Sequence, residues 1–466
     1  MPEKPFFHHA LTVDKDICIG CSNCMKVCPT EAIRIKDGKA NIISDRCVDC
    51  GYCYKACPVS AIFVEQNDLD EIFNYKVRVA LVPSIFIGQF PEEIRTSRVN
   101  KLMEDIGFTH VFDVEHTVDF LSNAINNYIV NEEDNKPLIS TFCPAIIRLV
   151  QVKFPSLIEN LLPYKPPIDL AATYCRKMLH DRGYADEDIG LFYITPCAAK
   201  ISAVKSPVGE NKSLVNGVIN INLIYNRLYR IIKNDKTDDD KALHYPSGQL
   251  NKKAVLWSLT HGEAGPTKGR CLAIDGMENV IEFLDKIENL EIEGIDFLEL
   301  RACDEGCAGG ILNPSNRFLT VERLIKRADR YQKRLRNMPE LENKRIKKYE
   351  DFLFENINIG KVEQRSMEKL DEDFNKAMEK MKKTQKLMCY LPGFDCGACG
   401  APSCDSLAQD IAQGNATLSH CVFMQRMMEK HHKLSPDHSF KIIEKIWGKD
   451  RLNKNCNKKG ATNENL

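Results

Sequence analysis

The pattern of hydrophobic and polar residues changes near residue 76. From Lys76 to Pro314, short apolar stretches alternate with segments in which apolar residues recur at helical spacing. The apolar stretches predict strands at Val77–Val82, His110–Asp113, Pro137–Thr141, Leu191–Thr195, Ala254–Leu256 and Asp296–Leu300. Amphipathic helices, for example Asp169–Leu179 and Met277–Ile287, are expected between them. This alternation is typical of α/β units on a mainly parallel sheet.

The sequence on either side of this region has a different texture. Short strands, Ala32–Ile35 and Ala61–Val64, lie among closely spaced cysteines, which predicts a small α+β module near the N-terminus. The C-terminal part is expected to be helical and to contain a second, small cysteine-rich domain. The expected regions are residues 1–70 (cysteine-rich module), 75–320 (α/β body), 321–388 (charged helices), 389–425 (second cysteine-rich domain) and 426–466 (helical end and disordered tail).

Composition limits the possible functions. With 466 residues the chain is too long for one hydrophobic core, so several domains are expected. The 64 Lys and Arg residues balance 65 Asp and Glu residues, which argues against a general nucleic-acid or membrane-surface binder. No secretory signal pattern and no apolar run of membrane-spanning length is seen in the sequence. We therefore expect a cytoplasmic protein, whose reducing surroundings keep the 20 cysteines available for metals.

Two cysteine runs near the N-terminus share one spacing. Each reads C-x2-C-x2-C-x3-C-P, in CIGCSNCMKVCP and CVDCGYCYKACP, which is the spacing of bacterial ferredoxins with two 4Fe-4S clusters. In that pattern, three neighbouring thiolates and the last cysteine of the other run hold each cluster. The expected ligand sets are Cys18, Cys21, Cys24 with Cys57, and Cys47, Cys50, Cys53 with Cys28. A zinc ribbon is the alternative, but zinc sites use C-x2-C pairs rather than runs of four that end in proline.

Four further cysteines are far apart in sequence, yet each follows a predicted strand. Cys143 follows PLIST, Cys197 follows LFYIT, and Cys303 and Cys307 follow DFLEL. Ligands of open α/β sheets gather at the carboxyl ends of the strands, so three strand ends are expected to bring these four thiolates together. Taken singly, each cysteine would also fit a small buried hydrophobic residue.

The C-terminal region contains a fourth group of cysteines. Cys396, Cys399, Cys404 and Cys421 have the spacing C-x2-C-x4-C-x16-C. The segment resembles the small 4Fe-4S domain of corrinoid iron–sulfur proteins and electron-transport subunits. Four thiolates would also suit zinc, and Cys389 lies close enough in sequence to be an alternative ligand.

Three motifs of the α/β body, STFCPA, TPCAAK and ELRACDEGCAGGILNP, resemble in order the signatures of the iron-only, or [FeFe], hydrogenase large subunit. The resemblance implies that one 4Fe-4S cubane is held by Cys143, Cys197, Cys303 and Cys307. It implies that Cys307 also bridges to a di-iron centre with CO and CN ligands. Lys200 matches a lysine that pairs with one cyanide, which suits an ammonium group. Pro83 and Ser84, in LVPSIF, resemble the strand-end turn that faces the other cyanide.

The first motif departs from the family pattern at Phe142. Active members carry a cysteine there, which passes protons to the di-iron centre. A phenyl ring has no exchangeable proton, and general acid–base help of this kind is worth about 10²–10⁴ in rate. Ala203 stands where another relay glutamate is expected. Thr195 and Arg301 replace methionines, which predicts a more polar di-iron pocket.

These departures resemble the sensory or regulatory branch of the family. We therefore expect an iron–sulfur redox protein that senses hydrogen or redox state, turns over H2 slowly and transfers electrons through 4Fe-4S clusters. One alternative is an active ferredoxin-linked hydrogenase with another proton path, and another is a non-catalytic electron carrier with four cubanes and no di-iron centre. The expected partners are ferredoxin or another redox protein, and a signalling protein or hydrogenase subunit.

Overall fold

The chain folds into two compact units. The computed structural model describes residues 7–132, 135–234, 250–338, 346–365, 371 and 373–452. The body unit consists of Met1–Ala10, Val48–Gly51 and Val64–Arg365, and the module unit of Leu11–Cys47, Tyr52–Phe63 and Ser366–Leu466. The tail expected beyond Leu452 lies outside the described residues.

Eleven strands are present in the described residues. In chain order they are β1 (Leu11–Val13), β2 (Ile33–Lys36), β3 (Lys39–Ile42), β4 (Ile62–Val64), β5 (Val77–Val82), β6 (His110–Asp113), β7 (Leu138–Ile139), β8 (Ile189–Thr195), β9 (Gly217–Asn220), β10 (Cys271–Asp275) and β11 (Phe297–Arg301).

The α-helices of the body unit are Ser84–Ile87, Thr96–Asp105, Val118–Asn131, Pro144–Lys153, Pro167–His180, Ala198–Lys205, Ile221–Asn234, Lys252–Leu256, Met277–Glu288, Arg317–Asn337 and Glu350–Glu355. Those of the module unit are Asn23–Lys26, Tyr52–Ala56, Phe374–Met388, Cys404–Ala412, Val422–Lys430, Pro436–Trp447 and Lys449–Leu452. None of these described helices is both long and apolar enough to cross a bilayer.

Two parallel sheets form the frame of the body unit. The first has the strand order β6-β5-β8-β9 and the second has the order β10-β11-β7. All seven residues of β8 are buried, as expected for a parallel strand covered on both faces. The predicted α/β class is confirmed, although the parallel strands form two sheets rather than one.

One predicted strand of the body is wrong. Ala254–Leu256 lies in the helix Lys252–Leu256, which begins at Asn251, whose side chain accepts a hydrogen bond from the Ala254 amide at 2.9 Å. A short apolar run does not distinguish a strand from a buried helical turn, and the capping asparagine decides the outcome here. Two strands of the body, β9 and β10, were not predicted. The residues of β10 are only half-buried.

The module unit joins the two ends of the chain. Strands β2 and β3 form an antiparallel hairpin, and the C-terminal segment bonds to its backbone. The Ile35 amide donates to the Gly400 carbonyl at 2.8 Å, and the Gly38 amide donates to the Ile446 carbonyl at 2.9 Å. Gly38 has φ +70°, and a Cβ there would lie 2.8 Å from the Trp447 carbonyl oxygen, so the close approach requires glycine.

A buried ion pair holds the same two parts together. Arg34 on β2 contacts Asp410 on the helix Cys404–Ala412, with 2.7 Å between Nε and Oδ2, and both residues are buried. Glu31 accepts hydrogen bonds from the hydroxyls of Ser403 and Ser406 at 3.1 and 2.6 Å. The two cysteine-rich regions of the module unit are therefore connected by specific polar contacts as well as by apolar packing.

Replacing Asp410 with alanine should destabilise the module unit by about 3–5 kcal/mol, because Arg34 would remain as an uncompensated buried charge. Chemical denaturation of the full chain, followed by the visible absorption of its iron–sulfur clusters, measures the change in midpoint. Glu282→Ala is the control, since the Glu282–Lys286 pair is exposed on a body helix and its loss should hardly move the midpoint. Equal effects of the two changes would contradict the prediction.

Candidate metal centres

The scattered cysteines of the body unit lie at the carboxyl ends of three strands. Cys143 follows β7 and Cys197 follows β8, each directly before a helix, while Cys303 and Cys307 lie in the loop after β11. The charges of Cys307 and Cys143 both act on Cys197, so these three thiols lie close together. Burial raises the pKa of the Cys197 thiol to about 12, which means that metal binding would have to displace its proton.

The loop after β11 packs closely against the backbone at Ser258. The Cys307 amide donates to the Ser258 carbonyl at 2.8 Å. Gly306 has φ +60°, and a Cβ there would lie 2.6 Å from the same carbonyl oxygen. A Cβ at Gly309 would lie 3.1 Å from the Cβ of Cys303. The glycines therefore let the loop fold back with both of its half-buried thiols on one short turn.

A small cavity adjoins Cys307. Its described lining is Pro83, Ile85, Val114, Glu115, Phe142, Pro166, Pro167, Ile168, Tyr193, Lys200, Ser258 and Cys307. The Lys200 ammonium lies 3.5 Å from the Cys307 sulfur. Burial alone would lower the pKa of Lys200, but the nearby charges of Cys307, Tyr193 and Cys197 outweigh burial and raise it. The cavity thus carries a positive charge beside the predicted metal ligand Cys307, and this pair of groups fits a cluster extended by anionic ligands.

Phe142 occupies the position of the proton-carrying cysteine that the first motif leads one to expect. Its ring is 8 % exposed and lies between two cations: Lys200 Nζ is 4.5 Å from the ring centroid and the Arg301 guanidinium carbon is 4.0 Å from it. Cation–π contacts of desolvated groups are strong enough to fix such a ring. Phe142 therefore packs as a fixed wall of the cavity.

The expectation of a more polar cavity is wrong for Thr195 and Arg301. Neither belongs to the described lining. Arg301 is buried in ion pairs, 2.8 Å from Glu263 and 3.3 Å from Glu299, and the Thr195 hydroxyl donates to the Cys197 carbonyl. Arg301 and Thr195 thus make their polar contacts with Glu263, Glu299 and the Cys197 carbonyl.

Pro83 and Ser84 lie at the end of β5, beside the cavity. Pro83 belongs to its lining. The Ser84 amide donates to Glu115 Oε1 at 2.8 Å, and the Ser84 hydroxyl donates to the Val255 carbonyl at 3.0 Å. Ser84 therefore positions its neighbours, while Pro83 faces the open space.

Three polar residues of the described lining were not predicted from the sequence: Glu115, Tyr193 and Ser258. Glu115 follows the carboxyl end of β6, so the strand-end rule that found the cysteines would also have found this carboxylate. Burial raises the pKa of Glu115 to about 7. Ser258 carries no such signal, because its surroundings were assigned to a strand and are helical.

The first ferredoxin-type set lies around one small cavity in the module unit. Cys18, Cys21, Cys24 and Cys57 all line it, which is the expected combination of three cysteines from one run with the last of the other. Burial raises the pKa of Cys24 to about 12, and the charges of Cys21, Cys18 and Cys57 add to the effect. Four converging thiols of this kind fit a 4Fe-4S cluster.

The expected second ferredoxin-type set is Cys47, Cys50, Cys53 and Cys28. Cys28, Cys47 and Cys53 belong to the module unit, whereas Cys50 belongs to the body unit. Cys47 and Cys53 are buried, and the Cys28 sulfur accepts a hydrogen bond from the Ala32 amide at 3.2 Å.

The segment that carries Cys50 packs within the body unit. Asp49 is buried against Arg148, at 2.7 Å. A Cβ at Gly51 would lie 2.6 Å from the side chain of Ile311. The neighbours of Cys50 on both sides are thus fixed to the body.

The C-terminal set lies in a small hydrophobic core. Cys399, Cys404 and Cys421 pack with Leu407 and Ile411. Burial raises the pKa of Cys399 to about 11, and the charges of Cys421 and Cys396 act in the same direction. Cys396 itself is exposed. The described residues therefore bring this quartet together at the surface of the module unit.

Cys389 does not share this arrangement. It is exposed at the end of the helix Phe374–Met388. Its thiol is directed at the carbonyl of Gln385, 3.7 Å away on the same helix. Cys396 is thus better placed than Cys389 as the exposed member of the quartet.

Family models match three parts of the chain. The iron only hydrogenase large subunit, C-terminal domain, matches residues 76–254, a 4Fe-4S dicluster domain matches residues 10–58, and an Fe-S cluster model matches residues 391–423. These matches, together with the hydrogenase relatives described next, indicate that the chain binds iron–sulfur clusters.

Curated relatives are similar over part of their length. Iron hydrogenase 1 of Clostridium pasteurianum is 25 % identical over 328 residues, which cover 63 % of this chain and 54 % of that protein. The periplasmic [Fe] hydrogenase large subunit of Nitratidesulfovibrio vulgaris is 29 % identical over 215 residues, 41 % of this chain and 50 % of that protein. The chain thus spans about half the length of these relatives.

Among solved structures, a variant of the [FeFe]-hydrogenase HydA1 from Chlamydomonas reinhardtii superposes with a TM-score of 0.47 at 14 % identity, covering 64 % of this chain and 97 % of that one.

Replacing Cys197 with serine should remove about four irons per chain, because one cubane would lose a ligand between the strand ends. Iron and acid-labile sulfide are measured on protein purified without oxygen. Cys175→Ser is the matched control: Cys175 is a buried cysteine of the helix Pro167–His180, outside all four sets, and its replacement should leave the iron content intact. An unchanged iron content in Cys197→Ser would contradict the ligand assignment.

Proposed function

We propose that this iron–sulfur redox protein, which is similar to the iron-only hydrogenases, senses hydrogen or redox state and turns over H2 slowly. In this proposal Cys143, Cys197, Cys303 and Cys307 hold a cubane, and Cys307 also holds a di-iron unit in the adjoining cavity. When bound, the di-iron unit supplies the metal chemistry that interconverts H2 with protons and electrons.

The observation that carries the proposal is the cavity beside Cys307. A buried ammonium lies 3.5 Å from the Cys307 sulfur and lines this cavity. Lys200 offers a positive charge to anionic ligands in a region of low dielectric, where such a charge acts strongly. Phe142 occupies the place of the expected proton-carrying cysteine, which supports slow turnover.

Electrons would reach the body through the other cysteine sets. The first ferredoxin-type set and the C-terminal set lie in one unit, held together by the β2–β3 hairpin contacts. Cys50 of the second set is fixed to the body unit by its neighbours Asp49 and Gly51. The chain therefore offers several cluster sites for electron transfer to and from the cavity.

A second candidate function is an active hydrogenase with a different proton path. Glu115 favours it, because this buried carboxyl lines the cavity and its pKa is raised to about 7. The two functions share the cofactor and differ in the rate of turnover.

Infrared spectroscopy tests the proposal. Protein produced with the hydrogenase maturation machinery should show stretching bands of bound CO and CN. Phe142→Cys should then raise H2 evolution from reduced dye by about 10²-fold, because a thiol restores proton transfer at this position.

Phe142→Ala is the control for this variant, since it removes the ring without adding an exchangeable proton and should not raise the rate in the same way. A correctly matured wild-type protein without CO and CN bands would refute the di-iron assignment. A high wild-type rate that Phe142→Cys leaves unchanged would favour the active hydrogenase instead.

We further propose that the electron partner is a ferredoxin-type carrier with an acidic surface, which docks beside the C-terminal set. Phe394 and Phe423 form an exposed edge-to-face pair, with 5.2 Å between ring centroids, near the exposed Cys396 in sequence. The neighbouring helix Phe374–Met388 carries five lysines and one glutamate. Lys383 of this helix approaches the Ile411 carbonyl at 3.5 Å, which places positive charge beside the cysteine core.

Replacing Phe394 and Phe423 with serine should slow reduction by ferredoxin while leaving reduction by a small dye unchanged, because only the protein partner needs the docking surface. Stopped-flow absorption of the clusters measures both rates. Phe318→Ser, at another exposed aromatic residue on a body helix, is the control. Equal slowing with ferredoxin and with dye would point to damage of the cluster rather than to docking.

A further inference from the structure

We propose that the C-terminal set and the first ferredoxin-type set form one electron-transfer pair, in which an electron that enters at the C-terminal set passes directly to the first set. The inference rests on one part of the proposed function, the electron partner that docks beside the C-terminal set, and does not depend on the di-iron unit. The residues that carry it all belong to the module unit.

The first contact joins residues that are next to ligands of the two sets. Met25 follows Cys24 of the first set, and Gly397 follows Cys396 of the C-terminal set. Met25 is 1 % exposed, and a Cβ at Gly397 would lie 3.0 Å from the Met25 Cε. Gly397 has φ +73°, a conformation that L side chains rarely adopt. The glycine therefore lets the Met25 side chain pack directly on the C-terminal ligand loop, residues 396–400.

A second contact runs through the backbone. Ile35 lines the small cavity around the first set, and its amide donates to the Gly400 carbonyl at 2.8 Å. Gly400 follows Cys399 of the C-terminal set and has φ +79°. A Cβ at Gly400 would lie 2.5 Å from the Ile35 carbonyl oxygen, so the close approach requires glycine. One hydrogen bond thus connects the lining of the first cavity to the C-terminal ligand loop.

Trp447 forms a third connection. Its indole Nε1 donates at 2.9 Å to the carbonyl of Ala398, in the middle of the C-terminal ligand loop. The Trp447 carbonyl oxygen lies against Gly38, where a Cβ would be 2.8 Å away. Gly38 in turn packs against Gly20, which directly precedes Cys21 of the first set. Three separate contacts therefore connect the ligand regions of the two sets.

Short connections favour electron transfer, because tunnelling between redox centres falls off steeply with their separation. Cys396 is exposed, whereas Cys18 and Cys24 are buried, so the C-terminal set is the accessible member of the pair and the first set is the shielded one. One electron from a reduced ferredoxin-type carrier is accepted at the C-terminal set and passed to the first set. The carrier is then oxidised, the first set holds the electron, and the C-terminal set has returned to its oxidised state.

The second ferredoxin-type set is the competing acceptor. Glu31 lies three residues after Cys28 of that set, and its carboxylate accepts the Ser403 hydroxyl at 3.1 Å. Ser403 directly precedes Cys404 of the C-terminal set. This connection needs three further residues of chain and a hydrogen bond between two side chains, whereas Met25 is itself next to a ligand. The first set is therefore the better connected acceptor.

Electron paramagnetic resonance of the reduced full chain, produced with its cubanes only, tests the pairing. The C-terminal signal is the one that Cys421→Ser removes. A reduced cluster close by speeds the spin relaxation of this signal, so the signal should saturate at lower microwave power in Cys21→Ser, which removes the first cluster and about four irons. Cys50→Ser, at the matched position of the other run, should leave the saturation as in the wild type. No change in Cys21→Ser, or a change of the same size in Cys50→Ser, would overturn the proposal.

A second variant keeps every ligand and all clusters. Met25→Ala removes the side chain that packs between the two sets. After mixing with reduced ferredoxin and freeze-quenching, the C-terminal signal should appear at the wild-type rate, and the first-set signal, identified by its loss in Cys21→Ser, should appear several-fold more slowly. Met424→Ala is the matched control, because Met424 packs against the C-terminal core but is not next to a ligand of the first set. An unchanged rate in Met25→Ala would overturn direct transfer at this contact.

The inference and the proposed function fail in different ways. Missing CO and CN bands in matured wild-type protein would refute the di-iron unit, while the resonance measurements use protein that carries only cubanes. An unchanged rate of reduction by ferredoxin after replacement of Phe394 and Phe423 would refute the docking surface, whereas the saturation measurement needs no ferredoxin.

Discussion

The burial of thiol groups around a buried cation is the constraint on which the body depends. Several thiols that act on one another lie beneath the surface, where charged thiolates are unfavourable. Lys200 compensates them from within the cavity, and Cys143 and Cys197 stand at helix N-termini, where the helix dipole favours negative charge. A bound metal cluster would compensate the remaining negative charge of the thiolates. The burial that raises the thiol pKa values therefore also favours binding of a cluster at these cysteines.

The Phe142 ring lies between two groups of polar residues. Glu263, Glu299 and Arg301 form one buried charge cluster, in which Arg301 pairs with both carboxylates. Glu115 and Lys200 line the cavity beside Cys307. Phe142 contacts both cations through its ring and fills the space between these side chains.

Much of this arrangement could be predicted because metal ligands impose spacing on a sequence. The cysteine runs and the strand-end positions of Cys143, Cys197 and Cys303 follow from spacing and periodicity. The helix at Ala254–Leu256 could not be predicted, because three apolar residues fit a strand as well as a helix. The helix is favoured by the side chain of Asn251, which caps its first turn. The second sheet was missed because β10 is a half-buried edge strand with weak hydrophobic contrast. Glu115 was missed because the strand-end rule was applied only to cysteines, although this carboxylate also follows the end of a strand.

The hairpin contacts of the module unit have a consequence for biosynthesis. The backbone of β2 and β3 finds its partners in Gly400 and Ile446, which the ribosome delivers more than 350 residues later. The N-terminal ferredoxin-type fold thus emerges early but is completed only when synthesis is nearly finished. Insertion of metal into a finished module unit is therefore a late event, and a prematurely terminated chain would leave the hairpin edge uncovered.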